Sequence, residues 1–74
     1  MTAEASLREQ VRAAIAATGT SQAAIARQLG VTQKHLSHML TGRAPLTLTW
    51  AEHILAAIGM HIEVAVYAQE GQIS

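Results

Sequence analysis

The chain has 74 residues, with five basic and five acidic residues, no cysteine and half of its residues hydrophobic. These values favour one small globular domain spanning residues 1–74, and they exclude disulfides and zinc sites built from thiolates. No apolar run approaches the roughly 20 residues of a membrane span, and the first residues lack the apolar core of a signal peptide. We therefore expect a soluble intracellular domain that does not enter a membrane.

Charged residues are unevenly distributed along the chain. Between Gln10 and Trp50 there is no aspartate or glutamate, whereas four basic residues fall in that stretch. All five acidic residues lie outside it. A basic middle indicates a surface for a polyanion, although four residues are few enough for a chance distribution.

The first helix is predicted from Ser6-x-x-Glu9, a capping box, followed by apolar residues at helical spacing up to Thr18. Gly19 stands where a terminating glycine is expected. The residues before Ser6 either extend this helix or fray.

Two short helices are predicted next. Ser21 is the expected N-cap of a helix that ends at Gly30, and Thr32 is the expected N-cap of a third helix that ends at Gly42. Two short helices joined by a brief turn containing glycine are typical of a helix-turn-helix, which would span residues 21–40.

A fourth helix is predicted after the loop at residues 43–46, where proline disfavours helix. Either Thr47 or Thr49 caps it, and it continues through Ile58 to a terminating Gly59.

The tail alternates apolar and other residues from Met60 to Ala68, which predicts a β-strand over residues 60–68. A lone strand leaves its backbone groups unpaired, and no second strand is predicted in the chain. We expect this dimerisation strand to pair antiparallel with its own copy in a two-fold dimer, through Ile62, Val64 and Val66. The alternatives are an extended arm or a segment that awaits another protein.

The spacing Ala26-x3-Gly30-x5-Leu36, with neighbouring apolar residues facing inward, resembles the lambda-repressor/Cro-like (XRE-type) helix-turn-helix family. The resemblance covers roughly residues 7–59. It implies a mainly α fold of four short helices with a central helix-turn-helix. It also implies a cytoplasmic location in a bacterial or phage-infected cell, and a third helix that enters the DNA major groove.

Transferred position by position, the resemblance assigns two groups of DNA contacts. Those to base edges are Gln33, Lys34, Ser37 and His38. Those to phosphates are Gln22, Thr32, His35, Thr41 and Arg43. Gln33 suits adenine and Lys34 suits guanine, because their side chains match the hydrogen-bonding edges of those bases. The exposed face of the third helix contains no acid, whereas an ordinary solvated face mixes glutamate with lysine.

No arrangement of serine, cysteine or carboxylates suggests catalysis, so we expect neither an enzyme nor a cofactor. His35 and His38 are three residues apart but lack a third ligand, so we expect no metal site. The sequence predicts a homodimeric transcriptional repressor that recognises a near-palindromic double-stranded operator. One alternative is an antitoxin or adaptor whose β-tail binds a toxin or other protein while the helix-turn-helix binds its own operator. Another is a protein-interaction module that has lost DNA binding.

Overall fold

The computed structural model describes residues 2–66, which form four α-helices joined by short loops. They are α1 (Ala3–Thr18), α2 (Gln22–Leu29), α3 (Gln33–Thr41) and α4 (Leu48–Ala57). The predicted mainly helical class is confirmed for this part of the chain. Within these residues, none of the helices combines the length and the apolar character that crossing a membrane would require.

Hydroxyl side chains begin the last three helices. The side-chain oxygens of Ser21, Thr32 and Thr47 each accept a hydrogen bond from the backbone N–H three residues later, at 3.0–3.2 Å. Each bond satisfies a backbone donor that has no partner within its helix. The predicted caps Ser21 and Thr32 are confirmed, and Thr47 rather than Thr49 is the cap of α4.

The start of α1 differs from the prediction. Thr2 is its N-cap, and the Thr2 hydroxyl accepts a hydrogen bond from the backbone N–H of Ala5 at 3.0 Å. The capping box predicted at Ser6 is therefore wrong, because Ser6 lies inside the helix and its hydroxyl accepts a bond from the Gln10 amide. The added turn contains Glu4, whose negative charge is favourable near a helix N-terminus.

Gly30 makes the turn between α2 and α3. Its φ of +71° lies in the left-handed region, which costs little for glycine because it has no Cβ. The N–H of Val31 donates to the carbonyl of Ala26 at 3.1 Å and closes the end of α2. The predicted turn is confirmed, and Thr32 begins α3 only two residues after Gly30.

The core lies between the four helices, with α1 and α2 each packed against both α3 and α4. Leu36 of α3 is fully buried, as its predicted role as an anchor requires. Leu46 is also buried although it belongs to the predicted loop. The buried hydrophobic residues are Val11, Ile15, Ile25, Ala26, Leu36, Met39, Leu40, Leu46, Ala51, Ile54 and Leu55.

The tail does not form the predicted strand in the described residues. Residues 60–66 have no regular secondary structure, and residues 67 and 68 of the predicted strand lie outside the described part. Ile62 packs against the helical core, whereas Val64 and Val66 are 68% and 92% exposed. A strand needs a neighbouring strand for its backbone hydrogen bonds, and residues 2–66 of one chain supply none.

Candidate nucleic-acid interface

Helix α3 has two faces of opposite character. Leu36, Met39 and Leu40 are buried in the core. The remaining face carries hydrogen-bonding side chains and no acid. Of its predicted contact residues, Gln33, Lys34, His35 and Thr41 are exposed, and Ser37 and His38 are half-buried. The core therefore fixes which face of α3 is presented to solvent.

The second half of α3 forms a polar depression with the residues that follow it. Ser37, His38, Thr41 and Arg43 line an open space of about 320 Å³. The hydroxyl of Thr41 donates to the carbonyl of Ser37 at 2.9 Å. The carbonyl of His38 accepts the N–H groups of Arg43 and Ala44 at 2.9 and 3.0 Å. Four of the predicted DNA contacts are therefore brought together, with Arg43 folded back beside α3.

Two other predicted contacts lie at helix N-termini. Gln22 is the first residue of α2, Thr32 is the N-cap of α3, and both are exposed. Neither helix has an acid in its first turn. Backbone N–H groups and the helix dipole make such an end favourable for a phosphate.

Trp50 links α3 to α4 through aromatic contacts. Its ring meets His35 edge-on at a centroid distance of 5.6 Å and His53 at 6.2 Å. Trp50 is half-buried and packs against the core, so it supports the position of His35 at the start of α3. Within residues 2–66, no three histidine, aspartate or glutamate side chains are grouped so that they could hold a metal ion.

None of the acids in the described residues belongs to α2 or α3. Glu4 and Glu9 belong to α1, Glu52 to α4 and Glu63 to the tail. The side-chain contacts of these acids are also outside α2 and α3: Glu4 forms an ion pair with Arg8, and Glu63 lies 3.3 Å from the ring of His61. The exposed side chains of α2 and α3 are therefore basic or neutral, and none of them is acidic.

Arg8 was not among the functional residues predicted from the sequence. Its guanidinium donates a hydrogen bond to the carbonyl of Met39 in α3 at 2.8 Å. The two residues are 31 positions apart, and the bond joins a side chain to a backbone carbonyl. A pattern of local spacing carries no signal for such a contact.

Two short helices joined through Gly30, the second with a buried anchor and an exposed polar face, define a helix-turn-helix domain. A family model described as a helix-turn-helix domain matches residues 5–65. The chain belongs to this XRE-like family, which confirms the resemblance, and family membership indicates a DNA-binding regulator of a typically non-enzymatic kind. No curated protein and no solved structure matched the chain.

Proposed function

We propose that the protein is a sequence-specific transcriptional repressor that binds a near-palindromic double-stranded operator as a homodimer, in the cytoplasm of its bacterial or phage-infected host. The observation that carries this proposal is the exposed, acid-free polar face of α3, held outward by Leu36, Met39 and Leu40. Repression follows as the simplest regulatory action, because occupying an operator requires only the DNA-binding surface.

The base contacts are Gln33, Lys34, Ser37 and His38. The Gln33 amide matches the N6 and N7 positions of adenine, and the Lys34 ammonium donates to O6 and N7 of guanine. Both side chains are exposed in the first turn of α3, the part of a recognition helix that contacts base edges in repressors of this type. Each good contact contributes about 1–3 kcal/mol of discrimination against a wrong base pair.

The phosphate contacts fix the orientation of α3 on the duplex but carry no sequence information. They are placed at the N-termini of α2 and α3 and around the polar depression. Because there are only four basic residues between Gln10 and Trp50, counterion release contributes only modestly to the affinity for DNA. The proposed set is Gln22, Thr32, His35, Thr41 and Arg43.

The dimer forms through the tail, where Ile62, Val64 and Val66 meet their counterparts. Of the four large hydrophobic side chains that are exposed in residues 2–66, three are Met60, Val64 and Val66. Antiparallel pairing with a second copy covers these side chains and supplies the neighbour that a strand requires. Two α3 helices spaced by one turn of DNA then contact the two halves of the operator.

The exposure of Val64 and Val66 also supports a second candidate, the antitoxin or adaptor. In that case the tail pairs with a toxin or another protein, and α3 still binds the operator. The oligomeric state of the isolated chain separates the two candidates. A stable dimer at micromolar concentration favours the repressor, and a monomer favours the partner-binding protein.

Selection of binding sites from a pool of randomised double-stranded DNA tests the proposal. We expect the wild-type protein to enrich a near-palindrome, Gln33→Ala to lose preference at one base pair of each half-site, and Lys34→Ala to lose it at another. The matched control is Gln28→Ala, which removes an exposed glutamine from α2 without touching α3 and should leave the selected site unchanged. Selected sites that are the same for all four proteins would overturn the assignment of α3.

A further inference from the structure

Arg8 of α1 supplies a hydrogen-bond donor to the C-terminal end of α3. The last carbonyls of a helix have no partner within the helix. The carbonyl of His38 is satisfied by the backbone of the following loop, but that of Met39 accepts the Nε–H of Arg8 at 2.8 Å. The Arg8 side chain is only 15% exposed, and its positive charge is favourable at this end of the helix dipole.

The same guanidinium holds the loop between α3 and α4. Its Nη2 donates to the carbonyl of Ala44 at 3.5 Å and to Oε2 of Glu4 at 2.7 Å. That carboxylate oxygen also accepts the backbone N–H of Leu46 at 3.4 Å. Gly42 lies against the guanidinium, since a Cβ built on it would be 3.7 Å from Nη1. Glu4 and Arg8 therefore tie the loop to α1.

Arg43 lies in the chain between the two backbone carbonyls that Arg8 contacts, that of Met39 in α3 and that of Ala44 in the loop. Its own N–H bonds the carbonyl of His38 at 2.9 Å, and its side chain lines the polar depression with Ser37, His38 and Thr41. Arg8 thus bonds the backbone before and after Arg43. The Arg8 guanidinium makes these bonds inside the protein, together with its bond to Glu4. The direction in which Arg43 leaves the loop depends on these bonds.

We infer that Arg8, oriented by Glu4, is a positioning residue for DNA binding, because it fixes the end of α3 and the direction of the Arg43 side chain. This inference rests on the proposed function, in which Arg43 contacts a phosphate. Arg8 itself contributes no contact with DNA. Arg8 affects the affinity for DNA only by keeping Arg43 in contact with a phosphate. Loss of Arg8 should therefore reduce the salt dependence of binding in the same way as loss of Arg43.

The test is a double-mutant cycle between positions 8 and 43 on the selected operator. Binding is measured by fluorescence anisotropy at several salt concentrations for the wild type, Arg8→Lys, Arg43→Ala and the double variant. Arg8→Lys conserves the charge but cannot bond both carbonyls as a guanidinium does. We expect Arg8→Lys and Arg43→Ala each to weaken binding about tenfold and to reduce the slope of log K against log salt by about one. The double variant should lose no more than Arg43→Ala alone.

Arg12→Lys, at an exposed arginine of the same helix, is the matched control and should change neither affinity nor slope. A role in stability alone would lower the midpoint of thermal unfolding of Arg8→Lys, leave its salt slope unchanged and add its loss to that of Arg43→Ala. That result would overturn the inference while leaving the proposed function intact. An unchanged slope for Arg43→Ala would remove the proposed phosphate contact of Arg43 and the inference with it, whereas operator binding through α3 would still be judged by the site selection. If Arg8→Lys does not fold, Glu4→Gln replaces it, and a slope equal to that of the wild type contradicts the inference.

Discussion

Replacing Val64 with lysine is expected to weaken binding to the full operator by about 100-fold or more, because it separates the two copies. Val64 is 68% exposed in the single chain, so the substitution leaves the helical core of each protomer intact. In the proposed dimer it places a charge in an apolar contact. Two linked recognition helices bind more tightly than one by about 10²–10⁴, and this gain is lost when the dimer dissociates.

Sedimentation of the variant gives its oligomeric state, and fluorescence anisotropy gives its affinity for the full operator and for a half-site. Ala65→Lys is the matched control, because it adds the same charge at the next exposed position, on the opposite side of the predicted strand. The control should remain a dimer and bind the full operator normally. A Val64→Lys protein that stays dimeric and binds like the wild type would show that the tail is not the dimer contact.

Replacing Leu36 with alanine should lower the free energy of unfolding by about 2–5 kcal/mol. Leu36 is completely buried and is the anchor of α3, so its loss leaves a cavity between α3 and the rest of the core. In a domain of this size each kcal/mol corresponds to about 4–8 °C in the unfolding midpoint. Circular dichroism during heating and urea titration measures both quantities at one fixed protein concentration.

Leu48→Ala is the control for the Leu36 substitution. It removes the same atoms from a leucine that is 43% exposed, so it creates little cavity and should cost less than about 1 kcal/mol. Equal losses for the two variants would mean that Leu36 does not anchor α3 more firmly than a surface leucine anchors α4.

The helix-turn-helix was predictable because its signals are local. The helix ends are marked within a few residues of one another by Ser21, Gly30 and Thr32. Capping favours a side-chain oxygen and a left-handed turn favours glycine, so both signals can be read from the residue type alone. The helical spacing of apolar residues then identified Leu36 as an inward anchor. Once the buried side of α3 is known, the remaining side is the candidate DNA surface.

Other features depended on contacts between distant parts of the chain. The first turn of α1 is capped by Thr2, and its Glu4 reaches Leu46 in a loop 42 residues away. Neither the burial of Leu46 nor the bond from Arg8 to α3 follows from the sequence around those residues. A capping box at Ser6 satisfied the local rule equally well, but the longer helix also provides the Glu4–Arg8 pair.

The tail is a different case, because its alternating pattern describes a strand that one chain cannot complete. Residues 60–66 have the composition of a strand but no strand neighbour within the described part of the protein. A chain with no net charge gains little from nonspecific attraction to phosphates. Operator binding is therefore expected to depend strongly on a second copy of the chain. Because the proposed dimer forms through the tail, the tail is expected to be needed for tight DNA binding.

A nuclear magnetic resonance titration of the isotopically labelled protein with its selected operator tests whether α3 is the helix that contacts DNA. We predict that the largest changes in backbone amide shifts occur in the first turn of α3, around Ser37 to Arg43 and at the N-terminus of α2. Amides on the outer side of α1, such as Arg12 and Ala13, should change little. Changes concentrated on α1 or on α4, with α3 unaffected, would contradict the conclusion that α3 is the DNA-contacting helix.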